Sequence, residues 1–147
     1  MSSFESYDYE DLYHKYINFV QINLNPNNTN KATVNVNVNQ FDPIKYKNTE
    51  SEIIALTTSF VNIIKENNMR YNNLATVSIN LKKVSRKNFS VSYFSKVYKV
   101  LDSIFPEDDI VDKIICLCDS GIPAVIWKFI KPILDPITAK KFVFYRL

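Results

Sequence analysis

The residues of this chain that could do chemistry are few, and their spacing excludes more than it allows. Carboxylates gather at Glu107, Asp108, Asp109 and Asp112, the side-chain type that serves as general acid and base. They fall on and just after a loop, with no nucleophile or base beside them, and read as solvated charges. The single histidine, His14, cannot supply an HExxH pair or a His-rich zinc site. Cys116 and Cys118 are the two thiols; at spacing i, i+2 on an extended run they share one face, too far apart and too parallel to bridge easily. No second Cys/His pair completes a zinc half-site, so they read as buried, reduced thiols. One glycine, Gly121, occurs in the whole chain. That count removes the phosphate loop, the dinucleotide fingerprint and the GxSxG elbow, each of which needs at least two. These absences point to a binding module, not an enzyme, with no metal and no cofactor required.

Two basic clusters remain. Lys82, Lys83, Arg86 and Lys87 follow a strand pattern, but the net charge is only +3 and no nucleic-acid motif accompanies them. A solvated loop is the simpler account, and no nucleic-acid partner is expected. Lys128, Lys131, Lys140, Lys141 and Arg146 face only Asp135 and are interleaved with Trp127 and Phe129. That mixture suits either a solvated helix face or docking on an anionic membrane surface.

These residues must be positioned by one domain. The chain has 147 residues, 46% hydrophobic and 22% charged, enough for one core and too apolar for disorder. No run of 18 apolar residues spans a membrane, and the acidic N-terminus lacks a basic, apolar leader. A cytoplasmic protein, peripheral to membranes, is expected. Aromatics at 4–19 fit a helix with Ser3 as cap. Residues 20–24 read as a short strand, and 32–39 alternate strictly, with Val34, Val36 and Val38 on one face and Thr33, Asn35, Asn37 and Asn39 on the other. Thr49-Glu-Ser-Glu52 has the form of a capping box opening a helix that Asn67-Asn68 ends. Residues 74–81 form another one-sided strand, with Val77, Ile79 and Leu81 opposite Thr76, Ser78 and Asn80. Ser90 caps a helix carrying Phe94, Val97, Tyr98, Leu101, Ile104 and Phe105 on one face. A strand at 113–118, a helix at 122–130, breaks at Pro132 and Pro136, a helical turn at 138–141 and a strand at 142–145 complete the order. Strands alternating with helices imply βαβ units and a mainly parallel sheet.

The C-terminal third carries Phe105-Pro-Glu107, a strand, and then Trp127-Lys-Phe-Ile-Lys-Pro-Ile-Leu-Asp-Pro-Ile-Thr138, with Lys141 before the last strand. With Phe41-Asp-Pro43, this resembles the CRAL-TRIO lipid-binding domain. The match runs over 31–147 in element order and is sharp over 105–144. It implies one α/β domain over 1–147, with a divergent N-terminal segment at 1–30 and a family-like core at 31–147. It further implies a gate segment, 122–141, over an apolar groove, with Ile122, Ile126, Trp127, Phe129, Ile130, Ile133 and Leu134 on or beside it. Glu107, Thr138 and Lys141 match positions that hold the inositol phosphate in phosphoinositide-binding members. A lysine ammonium is a point-charge partner for phosphate, and a hydroxyl can donate to the same oxygens.

The expected architecture is thus a CRAL-TRIO-like, mainly parallel sheet with helices mostly on one face. The expected function is non-enzymatic binding or transfer of a phospholipid or phosphoinositide at a membrane. The alternative is a reduced protein-interaction module without a lipid cavity, homodimeric or bound to another protein. Asn35, Asn37, Ser78 and Asn80 would form a polar floor that either lines a cavity admitting a headgroup or faces solvent.

Overall fold

The computed structural model describes residues 7–45, 49–104, 109–119 and 121–146. One sheet runs β1 (Val20–Asn23), β2 (Thr33–Asn37), β3 (Ala75–Asn80), β4 (Val111–Cys118), β5 (Phe142–Arg146), in that spatial order. β1 is antiparallel to β2, and the other neighbours are parallel. Parallel neighbours need long crossovers. α2 (Glu50–Tyr71), α3 (Val91–Ile104) and the pair α4 (Ile122–Ile130) and α5 (Pro136–Ala139) supply them, while α1 (Tyr9–Lys15) precedes β1.

The register sorts the side chains into two unlike faces. Val34, Val77, Ile114 and Phe142 make one row across four strands, and Val36, Ile79, Cys116 and Phe144 make the next on the same face. α1 and α2 pack on this face through Leu12, Leu56, Phe60 and Ile64, joined by Tyr93 of α3, and α4 meets it through Trp127. The other face carries Asn35 and Ser78 beside Ile115 and Val143, then Asn37 and Asn80 beside Leu117 and Tyr145. The one-sided patterns of β2 and β3 require this arrangement, because a strand covered on both faces is apolar on both. The polar row therefore turns away from the helices and does not line the space beneath them.

Several local expectations are corrected by tertiary partners. The capping box at Thr49 does not form: its hydroxyl lies 2.6 Å from the Tyr93 hydroxyl, and Glu52 accepts from Lys15 Nζ at 2.8 Å and the Tyr16 hydroxyl at 2.9 Å. The helix also runs past Asn67 and Asn68 to a left-handed cap at Asn72, φ 51°. Those two asparagines instead donate to the carbonyls of Asn30 and Ile110, both at 3.0 Å, fastening the end of α2 to the segments that enter β2 and β4. β2 stops at Asn37, and residues 38–40 form a 3-10 turn. α1 starts at Tyr9 with Asp8 as its cap; Ser3 lies outside the described residues. The last helical turn starts at Pro136 rather than Thr138, because Asp135 caps it. Ser90 does cap α3, accepting from the Tyr93 amide at 3.2 Å.

Candidate functional site

A cavity of about 290 Å³ lies between the apolar sheet face and the helices. Val36, Ile79 and Cys116 form its floor, Phe94 and Val97 of α3 one wall, and Ile126, Trp127 and Ile130 of α4 another. Phe142 and Phe144 of β5 close the end beneath Trp127, with ring centroids 4.8 and 5.2 Å from the indole. The groove lies between α3 and α4: α4 has nine residues and meets β5 through Trp127 without filling the space toward α3.

The wall offers no free polar chemistry among the described residues. Asn88 donates to the carbonyls of Asn39 and Phe41 and accepts from the Ser85 amide. Ser90 accepts from the Tyr93 amide, and the Tyr93 hydroxyl meets Thr49. Burial pushes the Cys116 thiol up to about 12 and also raises Cys118, so both stay protonated and poor nucleophiles near neutral pH. The cavity is suited to enclosing hydrocarbon. Among the described residues, no helix is long and apolar enough to cross a membrane, and no group of three or more His, Cys, Asp or Glu could hold a metal ion.

The sequence-predicted gate residues separate into groups. Ile126, Trp127 and Ile130 line the cavity, Ile130 standing four and three residues from the other two, the spacings that share a helical face. Ile133 is half-buried and Leu134 buried. Phe129 faces outward, 58% exposed, as do Val125 at 54% and Ile137 at 69%, with exposed Lys128, Lys131 and Lys140 among them. The backbone of Ile122 opens α4; its side chain, like all of Glu107, lies outside the described residues.

Of the three headgroup positions, the two that are described already have partners. Lys141 forms an ion pair with Asp109. Thr138 donates its hydroxyl to Asp135 Oδ2 at 2.6 Å and its amide to Asp135 Oδ1 at 2.8 Å. The same Asp135 carboxylate accepts from the Tyr98 hydroxyl of α3 at 2.9 Å. The Thr138 hydroxyl first, then the Thr138 amide, hold the Asp135 carboxyl below the usual carboxylate range.

The far wall of the groove was not singled out from sequence. Phe94 and Val97 read as ordinary core, and Phe142 and Phe144 as strand residues. The usable signal was that the apolar faces of β2, β3, β4 and β5 all coincide once the parallel register is drawn. The Asp135–Thr138 pairing was also legible, since Asp before Pro at a helix start is a capping signal.

Comparison with protein families matches the CRAL/TRIO domain over residues 16–146. No curated protein matches. Among solved structures, the crystal structure of Sfh5 is similar with a TM-score of 0.64 and 17% identity, over 89% of this chain and 50% of that one. The chain thus spans half the length of that structure, and the likeness is one of fold.

Proposed function

The chain belongs to the CRAL/TRIO domain family, whose members are lipid-binding and lipid-transfer proteins, generally without catalytic activity; from that premise we propose that it carries a phospholipid or phosphoinositide between membranes. The observation that supports this reading is the apolar cavity under α4. Its volume of about 290 Å³ lies at the lower edge of the range of small-molecule sites, about 300 Å³ and upward. One acyl segment fits the closed form, and a diacyl lipid requires segment 122–141 to swing outward.

Docking follows from the outer side of that segment. Val125, Phe129 and Ile137 stand exposed among Lys128, Lys131 and Lys140, an apolar tip in a cationic ring that fits an anionic bilayer surface. The protein would act in the cytoplasm, peripheral to membranes. Lys141, Thr138 and Glu107 are proposed to meet the headgroup after opening, when Lys141 exchanges Asp109 for phosphate.

Native mass spectrometry of the purified chain, before and after denaturation, tests the reading, together with transfer of labelled phosphatidylcholine and phosphatidylinositol between vesicles. A co-purified lipid or transfer above the spontaneous rate is expected; neither appearing overturns it. If lipid is carried, Lys141→Ala and Glu107→Ala should change the preference between the two headgroups.

A second reading draws on the open sheet face, where Ile115, Leu117, Val143 and Tyr145 form an apolar strip with no helix over it among the described residues. A protein partner or second copy would use that strip. A dimer at micromolar concentration in sedimentation, with no lipid bound, favours it over the carrier.

A further inference from the structure

The groove has two helical walls, α3 and α4, and the polar connection between α3 and the segment 122–141 is concentrated on one atom. The Tyr98 hydroxyl donates to Asp135 Oδ2 at 2.9 Å and accepts from the Asp135 amide at 3.3 Å. Among the described residues these are the hydrogen bonds joining α3 to that segment. Asp135 stands where the turn after α4 enters α5, between Pro132 and Pro136. The same carboxylate caps α5 through Thr138. A hydroxyl that donates to the side chain and accepts from the backbone of one residue fixes both the position and the orientation of the turn.

Tyr98 is also coupled to the groove itself. Its ring is stacked on Phe94, with centroids 5.8 Å apart and planes 14° apart, and Phe94 forms part of the wall. Displacement of Phe94 by a ligand therefore bears directly on the ring that carries the hydroxyl. Burial raises the pKa of that hydroxyl, so it remains a donor at neutral pH.

We propose that Tyr98 is the latch of the groove: its paired hydrogen bonds to Asp135 hold segment 122–141 closed against α3 and set the rate at which an apolar ligand leaves. Tyr98 is a positioning residue in this scheme and touches the ligand only through Phe94. The link to ligand release rests on the lipid-carrier reading above; the latch itself does not.

The test is Tyr98→Phe in the full chain, which keeps the ring and removes only the hydroxyl. Hydrogen exchange of the ligand-free protein is read at the amides of Ile130, Lys131 and Ile133. The wild-type amides of Lys131 and Ile133 donate to Trp127 and Ile130, so the substitution removes none of their partners. Exchange there should rise on the order of tenfold, the value of a hydrogen bond to a charged group, with no change in α2 or β2. Asp135→Asn, which keeps a capping oxygen but loses the charge, should move the same amides less. In parallel, release of labelled phosphatidylcholine into acceptor vesicles should quicken by a similar factor, with initial binding retained.

Unchanged exchange at these amides overturns the latch, even if the wild-type protein carries lipid. A uniform rise across α2 and β2 also overturns it, because the hydroxyl would then be only a general stabiliser. Faster local exchange in a protein that takes up no lipid leaves the latch standing and removes the carrier reading.

Discussion

Two halves of one apolar sheet face are covered differently. Over the row that begins with Val34 and Val77, α1 and α2 interlock with the strands until Leu56 is 2% exposed and Ala32 and Ala75 are 0%. Over the next row, Val36, Ile79, Cys116 and Phe144, the groove lies beneath α4, a helix of nine residues, and the buried cluster beside it comprises Leu81, Val84, Cys116 and Cys118 among the described residues. The strands beneath are equally apolar, so the difference comes from the covering helices. α2 is 22 residues long and presents Leu56, Phe60 and Ile64 at successive turns, whereas α4 places Trp127 over two phenylalanines and leaves the space toward α3 open. A groove can be made without polar lining or special strands, simply by covering an ordinary core face incompletely.

The largest test of this contrast is truncation on each side. Leu56→Ala in the filled half should cost about 2–5 kcal/mol, read as a lower midpoint in urea. Ile126→Ala in the hollow half, where one side already faces a cavity, should cost about 1 kcal/mol or less, since few contacts are lost. Equal losses would mean that the two halves are packed alike.

Enlargement should behave in the opposite way. Ala75→Leu forces volume into closed packing and should destabilise by about 1–3 kcal/mol. Val36→Phe projects into the groove, should be close to neutral in stability, and should abolish uptake of a labelled acyl chain. Retained uptake in that variant would place the binding space elsewhere.

Acid should separate the halves next. Asp135 has its carboxyl held below the usual range in the folded state, chiefly by Thr138. A depressed folded value stabilises fully above the unfolded value of about 3.9 and is lost as pH falls through the folded one. Amides in 130–139 should therefore lose protection as pH drops below about 4. Titration without a selective change at the hollow end would count against Asp135 as its fastening.

The smallest expected signal is chemical. Cys116, held at about 12 by burial, and Cys118, also raised by burial, should resist iodoacetamide near pH 7.5 until the protein is unfolded. Rapid labelling of Cys116 in the native state would show that the groove opens far more often than its packing suggests.

Much of this contrast was legible in the sequence, and what escaped it has a common cause. The strands announced themselves through strict alternation in Val34-Asn-Val-Asn37 and Val77-Ser-Ile-Asn80, and the helix over Ile122–Ile130 appears with the predicted bounds. Local signals failed where a distant side chain competed for the same atoms. Thr49 had the form of a cap but bonds Tyr93 across 44 positions, and Asn67 had the form of a stop but ties down Asn30. Of the positions that the resemblance names, those lining the cavity lie on α4, and it names none on the opposite wall, an ordinary amphipathic helix whose facing partner is settled by topology rather than by spacing.

Trp127 is the sole indole of the chain, set above Phe142 and Phe144 at the boundary of the hollow. The protein consequently carries its own optical gauge. Excited at wavelengths that the nine tyrosines do not absorb, the protein emits from one site, so the colour and quenching of that light report the wetness of the groove without a label. Filling, emptying and opening each become visible in the unmodified molecule.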